Sequence, residues 1–247
     1  MNLLLIEQGE LSARSEVLLL DARASHLRDV LCVSPGQFVK VGLIGGPVGR
    51  AEVLWVDDET VRLRCELSDR TPEKPRVDVV LALPRPKVLK RLWSQLAAVG
   101  VGCIHLTNAK RVERFYFDSH AIREEVYRPR LLEGLAQARD THLPQVRIHK
   151  FLRPLVEDVL EPTHAEAKCL IADPVYERSP VRVLEGLAPE RRVLIAIGPE
   201  GGWDPFERDL FQGHGFVGVG LGARTLRSDT AIVGLLAIVN EALRLGA

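Results

Sequence analysis

The first seventy residues alternate short apolar runs with turn-forming residues. Runs of this length, rich in Val, Ile and Leu and bounded by Gly, Pro or Asp, predict strands rather than helices. Pro35-Gly36, Gly45-Gly46-Pro47 and Asp57-Asp58 supply the turns. The predicted strands cover residues 3–6, 17–20, 37–44, 50–56 and 60–67, with one helical segment at 26–32. Strands at this regular spacing predict a small β-barrel.

The pattern changes after the charged, proline-containing stretch DRTPEKPR at 69–76, which predicts a linker. Beyond it, apolar runs of strand length alternate with amphipathic segments of helical period. Strands are predicted at 77–83, 103–106, 146–149, 168–171, 193–197 and 216–221, and helices at 88–99, 119–138 and 230–245, with a short one after Pro154. This alternation predicts an α/β fold, a parallel sheet covered by helices. The two patterns together predict domains at 1–70 and 77–247.

Two of the predicted strands, 193–197 and 216–221, end directly at glycine-rich turns. The first turn reads GPEGG at 198–202, and the second opens at Gly222. Glycine adopts positive φ and lets a ligand touch the backbone. Because ligands bind outside the carboxyl ends of parallel strands, two such turns at one edge predict a single pocket. Each turn taken alone is equally consistent with an ordinary strand-to-helix connection.

A second glycine pattern lies between these turns. Gly213, Gly215 and Gly218 fit the spacing G-x-G-x-x-G of dinucleotide-binding loops. That loop needs a strand before it and a helix after it, whereas here a predicted helix precedes the glycines and a strand follows them. The inverted context argues against a nicotinamide-dependent dehydrogenase. We interpret these glycines as a helix stop and a strand entry.

The order of the two glycine turns carries a resemblance to a known family. GPEGG is followed by LGARTLRSDTA at 221–231. The pair resembles the SPOUT superfamily of RNA methyltransferases, and most closely the ribosomal RNA small subunit methyltransferase E family, whose second segment reads approximately LGxRILRxETA. Thr225 and Asp229 depart from that segment. The resemblance implies a SPOUT-type parallel sheet with a C-terminal trefoil knot, preceded by a PUA-like β-barrel, although protein connections are in general unknotted.

Weaker matches extend over most of the chain. The matching positions are His26, Val30, Leu31 and Gly36 in the first domain, and Gln137, Arg139 and Pro144 further on. Cys32 stands where the family usually has Arg, and Ala98 stands where it usually has Glu. These departures indicate a divergent branch of the family.

The resemblance also implies a function and a set of residues. It implies methylation of N3 of a uridine in 16S ribosomal RNA, with S-adenosylmethionine as cofactor and a homodimer as the active form. The implied cofactor-binding residues are Ile171, Gly198, Glu200, Gly201, Gly202, Leu221, Gly222 and Leu226. The glycine backbone is suited to close contact with a ligand, and Ile171, at the end of the preceding predicted strand, is expected to form a third wall.

Arginines in the second segment are the candidates for catalysis. N3 of uracil carries a proton at neutral pH, so attack on a methyl group requires the anion. A guanidinium beside the developing charge stabilises it, and Arg224 and Arg227 are the expected catalytic residues. An alternative role is pairing with Glu200 or Asp229 to fix the loop. Asp229 as a general base is ordinarily too weak for this proton.

Charge restricts where RNA could bind. The 33 basic and 33 acidic residues cancel, so a nucleic-acid surface has to be local. Residues 85–153 hold 14 Lys and Arg against 6 Asp and Glu. Lys87, Lys90 and Arg91 lie one helical turn apart, and with Arg139 they are the predicted RNA contacts. Solvated helix faces explain the same excess equally well.

The cysteines, histidines and apolar runs indicate an ordinary intracellular protein. Cys32, Cys65, Cys103 and Cys169 are far apart in apolar surroundings and are predicted as core residues in a reducing compartment. The histidines lack the usual spacings of metal ligands, so no metal is expected. No apolar run reaches membrane-spanning length. We therefore expect a cytoplasmic protein with no membrane partner.

Two other functions are consistent with the residues. One is a different SPOUT reaction, such as ribose 2′-O methylation, on another RNA. The other is a non-catalytic RNA-binding protein on the same scaffold, against which the near-complete loop signature argues.

Overall fold

The computed structural model describes residues 2–224 and 226–245, so Thr225 of the second motif lies outside the described residues. The chain forms two compact units. The first contains the residues up to Lys74 together with Leu131–Leu143, and the second contains Pro75–Arg130 and the residues from Pro144 onward. The division at Lys74 falls inside the segment predicted as a linker. The assignment of Leu131–Leu143 to the first unit is not visible in the local pattern.

The first unit holds a five-stranded sheet among its described residues. Its strands are β1 (Leu4–Ile6), β2 (Glu16–Leu19), β3 (Phe38–Leu43), β4 (Val48–Val56) and β5 (Val61–Leu67). They lie in the order β1-β3-β4-β5-β2, with β1 parallel to β3 and the other pairs antiparallel. Buried and exposed positions alternate along β5, as expected of a strand with one face on the core. The Leu131–Leu143 segment joins this unit through Thr141, whose hydroxyl donates to the Gly46 carbonyl at 2.7 Å.

One predicted helix and one cysteine of this unit need correction. The helix predicted at 26–32 begins earlier, as α1 (Ala22–Ser25), and continues as a π-helical turn (His26–Val30). Asp21 sets this start because its carboxylate accepts from the Arg23 amide at 2.9 Å, an N-cap. Cys32 was predicted as a core residue, which is wrong. It is exposed, with φ of 50°, beyond the end of the helix.

The second unit is built on a six-stranded sheet in the described part of the chain. Its strands are β6 (Val77–Ala82), β7 (Val101–Thr107), β8 (Gln145–His149), β9 (Lys168–Ala172), β10 (Val193–Ile197) and β11 (Val217–Val219). They lie in the order β11-β9-β10-β6-β7-β8, and every pair is parallel. All five residues of β10 are buried, as expected of a central strand in a parallel sheet that is covered on both faces. The predicted parallel α/β sheet is confirmed.

Helices accompany these strands along the chain. They are α2 (Pro86–Ala98), α3 (Glu124–Ala138), α4 (Leu152–Pro154), α5 (Glu161–Thr163), α6 (Pro180–Leu184), α7 (Pro205–Gly213) and α8 (Ser228–Leu245), with 3-10 turns at Gln8–Glu10, Arg114–Asp118 and His120–Ile122 and a π-helical stretch at Leu155–Leu160. The helix predicted at 119–138 is thus a 3-10 turn followed by α3. The last helix buries the predicted apolar face: Ile232, Leu235, Leu236, Val239 and Leu243.

Neither a membrane-spanning helix nor a metal-binding cluster is present among the described residues. None of their helices is both long and apolar enough to cross a membrane. No group of three or more of their His, Cys, Asp or Glu side chains is arranged to hold a metal ion.

Candidate functional site

A cavity of about 150 Å³ opens at the carboxyl ends of β9, β10 and β11. Its walls come from the turns after these three strands and from the first two turns of α8. The lining residues are Ala172, Asp173, Pro174, Ile197, Gly198, Pro199, Glu200, Gly202, Val219, Gly220, Leu221, Gly222, Arg224, Leu226, Ser228, Ala231 and Leu235. The two glycine turns therefore meet at one pocket, as the sequence predicts.

The third wall is one residue displaced from the predicted one. Strand β9 lies between β10 and β11, so its carboxyl end separates the two glycine turns. Successive side chains of a strand point to opposite faces. Ile171 is completely buried and does not line the cavity, whereas its neighbour Ala172 does.

Asp173 is a site residue that sequence reasoning missed. It follows β9 directly and lines the cavity, although it is only 6% exposed. Its Oδ2 accepts from the Trp203 amide at 3.2 Å, and its Oδ1 accepts from the Val175 amide at 3.1 Å. Arg208 Nη1 lies 3.7 Å from the same Oδ2. A carboxylate directly after a buried strand, in the sequence LIAD, was the available signal.

The GPEGG turn has one side on the cavity and one side away from it. Gly198, Glu200 and Gly202 line the cavity, and Gly202 has φ of +74°. Gly201 does not line it. The Gly201 carbonyl accepts a hydrogen bond from the Arg111 guanidinium, and a Cβ added at Gly201 would lie 3.0 Å from Arg111 Cδ. Gly201 therefore contacts a supporting arginine rather than the pocket.

The segment after β7 supports the same turn from outside the cavity. The Lys110 amide donates to Glu207 Oε1 at 2.6 Å, and its ammonium lies 2.9 Å from Asp204 Oδ2. Asp204 is the N-cap of α7, and Glu207 completes a capping box. The hydrogen bond from Lys110 lowers the pKa of the Asp204 carboxyl. The start of α7 and the turn before it are thus tied to a loop some 95 residues away in sequence.

The second turn also depends on its glycines. A Cβ added at Gly220 would lie 1.9 Å from the Tyr176 carbonyl oxygen, so no other residue fits there. Gly222 has φ of +89°, a conformation that L side chains rarely adopt, and open space lies where its Cβ would be. Leu221 and Leu226 flank this turn and line the cavity.

The two candidate catalytic arginines differ in position. Arg224 lines the cavity, and Arg227 lies just outside it, at the start of α8. Within residues 2–224 and 226–245, neither guanidinium has an ion pair or a hydrogen bond. Their suggested partners are engaged elsewhere: Asp229 with Arg91 at 2.8 Å, and Glu200 with the Arg85 amide at 3.2 Å. The structure thus offers no support for the alternative in which these arginines only brace the loop.

The predicted RNA contacts also separate into different environments. Lys87 and Lys90 are exposed on α2 and have no ion-pair partner among the described residues. Arg91, on the same helix, is half exposed and paired with Asp229. Arg139 belongs to the first unit and is exposed, with φ of 60°.

Comparison with known proteins agrees with this arrangement. A family model described as RNA methyltransferase domain matches residues 72–240. The ribosomal RNA small subunit methyltransferase E of Treponema pallidum is 33% identical over 246 residues, 97% of this chain and 90% of that protein.

Solved structures agree on the fold. The Neisseria gonorrhoeae protein of the same name, bound to S-adenosylmethionine, superposes with a TM-score of 0.78 at 21% identity, over 98% of this chain and 97% of that one. A Legionella pneumophila protein in complex with S-adenosylmethionine gives 0.79 at 23% identity, over 97% of each chain. From the family match and the Treponema relative, the chain belongs to the RNA methyltransferases, and among them to the ribosomal RNA small subunit methyltransferase E family.

Proposed function

We propose that this protein methylates N3 of a uridine in the 16S ribosomal RNA of the small subunit, with S-adenosylmethionine as the methyl donor. The observation that carries the proposal is the cavity formed by both glycine turns of the motif. The chain that forms it is 33% identical to the ribosomal RNA small subunit methyltransferase E of Treponema pallidum. The relatives' names support methylation of small-subunit ribosomal RNA, and the choice of uridine N3 follows from the motif resemblance.

The residues around the cavity fit the proposed cofactor. Space lies where a Cβ of Gly222 would be, and the turn at Gly202 has the positive φ that keeps backbone atoms open to a ligand. We assign cofactor binding to Gly198, Glu200, Gly202, Leu221, Gly222 and Leu226, with Ala172 and Asp173 in place of Ile171 and with Gly201 as a support. S-adenosylmethionine supplies an activated methyl group, so the protein mainly has to position it and exclude water.

The arginines of the second turn supply the charge that the reaction needs. Loss of the N3 proton leaves negative charge on the uracil ring, and a guanidinium already in place stabilises that charge without reorganisation. Arg224 and Arg227 are without ionic partners in the described chain, so both are available for this role. We assign Arg224 and Arg227 to the stabilisation of the uracil anion.

The wider assembly implied by the resemblance belongs to the same proposal. It comprises a PUA-like barrel built from the five-stranded sheet, a C-terminal trefoil knot, a homodimer, and RNA contacts at Lys87, Lys90 and Arg139. The five-stranded sheet of the first unit supports the barrel, and the motif resemblance supports the knot. Exposed Ile238 and Leu245 on α8 support an additional interface.

Calorimetry with S-adenosylmethionine tests the pocket. The protein should bind the cofactor with a Kd near micromolar, a binding free energy of about −8 kcal/mol. Ala231 lines the cavity from α8, so Ala231→Phe should abolish binding by filling it. Ala237 is exposed on the same helix, and Ala237→Phe should bind as the parent does. Equal binding by both variants would remove this cavity from the function.

Primer extension tests the product. A methyl group at N3 blocks the Watson–Crick edge of uracil, so it should stop reverse transcriptase at every nucleotide concentration. Ribose methylation leaves that edge intact and slows the enzyme mainly when nucleotides are scarce. Small subunits from cells lacking the protein should gain one strong stop after incubation with protein and cofactor. A stop seen only at low nucleotide concentration would indicate the ribose reaction, and cofactor binding without any stop would indicate another RNA.

A further inference from the structure

One ion pair joins α2 to the start of α8, next to the cavity. Arg91 Nη2 lies 2.8 Å from Asp229 Oδ2, between residues 138 positions apart in sequence. The arginine side chain is 52% exposed and the aspartate side chain 21%. Asp229 Oδ1 also accepts from the Thr230 amide at 3.0 Å. The carboxylate thus holds the first turn of the helix and the arginine together.

The position of Asp229 makes this pair relevant to the pocket. Asp229 is the second residue of α8, and Ser228 and Ala231 on either side of it line the cavity. The chain immediately before α8 carries Leu226 and Arg224, which line the cavity too. The first turn of α8 therefore anchors the carboxyl end of the segment that contains the second glycine turn.

A second polar contact joins the same two helices far from the cavity. Asn240 Nδ2 donates to the Val99 carbonyl, just after α2, at 2.6 Å. Asn240 lies eleven residues beyond Asp229, about 16 Å along the helix. Both contacts hold α8 against α2, but only the one at Asp229 lies beside the pocket. The chain therefore provides a matched control.

We infer that Arg91 is a positioning residue of the methyl-transfer site, acting through Asp229, rather than a contact to RNA phosphate. Its charge fixes the first turn of α8, and so the segment that carries Leu226 and Arg224. An ion pair with a half-exposed arginine adds little to global stability, so its effect is expected in the local order of this segment. The inference rests on the proposed function where it concerns cofactor binding, and on the structure alone where it concerns helix order.

Hydrogen exchange on the free protein tests the structural half. Amides of segments with few stabilising contacts exchange through local opening. Arg91→Asp places two carboxylates together, and should speed exchange at the hydrogen-bonded amides of residues 230–232 by about tenfold or more while leaving the end of α8 unchanged. The milder Arg91→Gln should give a smaller change in the same residues. Arg91→Asp combined with Asp229→Arg should recover part of the protection. Unchanged exchange in 230–232 would overturn the inference, whether or not the protein binds the cofactor.

Calorimetry and RNA binding test the functional half. Arg91→Asp should weaken S-adenosylmethionine binding by about tenfold, which corresponds to 1.4 kcal/mol, and the charge swap should recover part of it. Asn240→Ala should leave cofactor affinity unchanged even if it lowers the melting temperature. Each lost phosphate contact reduces the slope of log K for RNA binding against log salt concentration by about 0.7 to 0.9. Lys87→Asp and Lys90→Asp should therefore reduce this slope, and Arg91→Asp should not.

These outcomes separate the two proposals. If Arg91→Asp flattens the salt dependence and leaves cofactor affinity intact, Arg91 is an RNA contact and the inference is wrong. If the parent protein itself fails to bind S-adenosylmethionine, the proposed function fails, and the exchange data still decide whether Arg91 orders α8.

Discussion

At the scale of single residues, the buried carboxylate of Asp173 joins two turns of the site. It accepts a hydrogen bond from the amide of Trp203, which follows the first glycine turn, and another from the amide of Val175 in its own turn. Neither amide has a second hydrogen-bond acceptor among the described residues. Loss of a buried acceptor costs the desolvation of the groups left behind as well as the hydrogen bonds.

Asp173→Ala is therefore expected to destabilise the protein. Two amides lose their acceptor, and the free energy of unfolding should fall by about 2 kcal/mol. Asp209 is exposed on α7, and Asp209→Ala should change it by less than about 0.5 kcal/mol. Denaturant unfolding followed by circular dichroism measures both. Equal stability of the two variants would show that Asp173 does not hold the turn.

Arg224 and Arg227, which have no ionic partner in the described part of the chain, differ in their contact with the cavity. Arg227 does not line the cavity, so Arg227→Ala should leave cofactor affinity within about twofold. Removal of one charge-stabilising donor typically costs about 10²–10³ in rate, and single-turnover methylation of small subunits should slow accordingly. Arg224 lines the cavity, so Arg224→Ala should weaken cofactor binding as well as transfer. A normal single-turnover rate for Arg227→Ala would return that residue to a role outside the chemistry.

At the scale of secondary structure elements, a histidine cluster lies on the sheet of the second unit. His105 on β7 is completely buried. Its Nδ1 lies 3.1 Å from His149 Nε2, and its Nε2 lies 3.3 Å from Cys103 Sγ. His164 packs edge-on against the His105 ring and contacts Asp78 at 3.4 Å.

Burial is the main reason that His105 stays neutral. The pKa of His105 is lowered to about 4, mainly by burial and to a smaller extent by the nearby His149 and His164. Burial also lowers the pKa of His149. Burial of Asp78 raises its pKa. The hydrogen bonds from His164 and Arg192 lower it by more than burial raises it, so the pKa of Asp78 is below its usual value. Asp78 is therefore charged at neutral pH.

The stability of the protein should consequently fall in mild acid. An unfolded histidine binds its proton near pH 6.5, whereas His105 in the folded protein does so near 4. Between these values the unfolded chain binds more protons. The stabilisation is complete above pH 6.5 and is lost as the pH falls toward 4, by about 3 kcal/mol for this one group.

Urea unfolding at pH 7 and pH 5 measures this effect. The parent protein should be less stable at pH 5. His105→Leu removes the titrating group, so its stability should depend less on pH. The exposed His120 is a matched control, and His120→Gln should keep the pH dependence of the parent. The same pH dependence in His105→Leu as in the parent would assign the effect to other groups.

At the scale of the whole molecule, the proposed homodimer can be tested by direct measurement. Light scattering on dilute protein should give about twice the chain mass of 27.4 kDa, because a stable interface buries at least about 1,000 Å². Ile238 on α8 is 38% exposed, and Ile238→Asp should shift the protein to monomer. Leu20 in the first unit is more exposed, and Leu20→Asp should leave the mass unchanged. A monomeric parent that still methylates RNA would contradict the dimer.

Much of the fold was predictable from the local pattern of the sequence. Strand β10 and the buried face of α8 follow from apolar spacing alone, because side-chain periodicity is a property of the backbone conformation itself. The glycine turns were equally readable, since Gly202 and Gly222 have the positive φ that L side chains rarely adopt. These features place the site at the carboxyl edge of a parallel sheet before any tertiary contact is known.

The partners of the site residues were decided by tertiary structure. The strand order places β9 between the two motif strands, which brings in Asp173 and excludes Ile171. Arg111 reaches Gly201 across 90 residues, and Arg91 reaches Asp229 across 138. Local sequence determines which residues can form a strand, a turn or a charged surface. It does not determine which of two exposed cations meets a distant carboxylate, because that depends on how the elements pack in three dimensions.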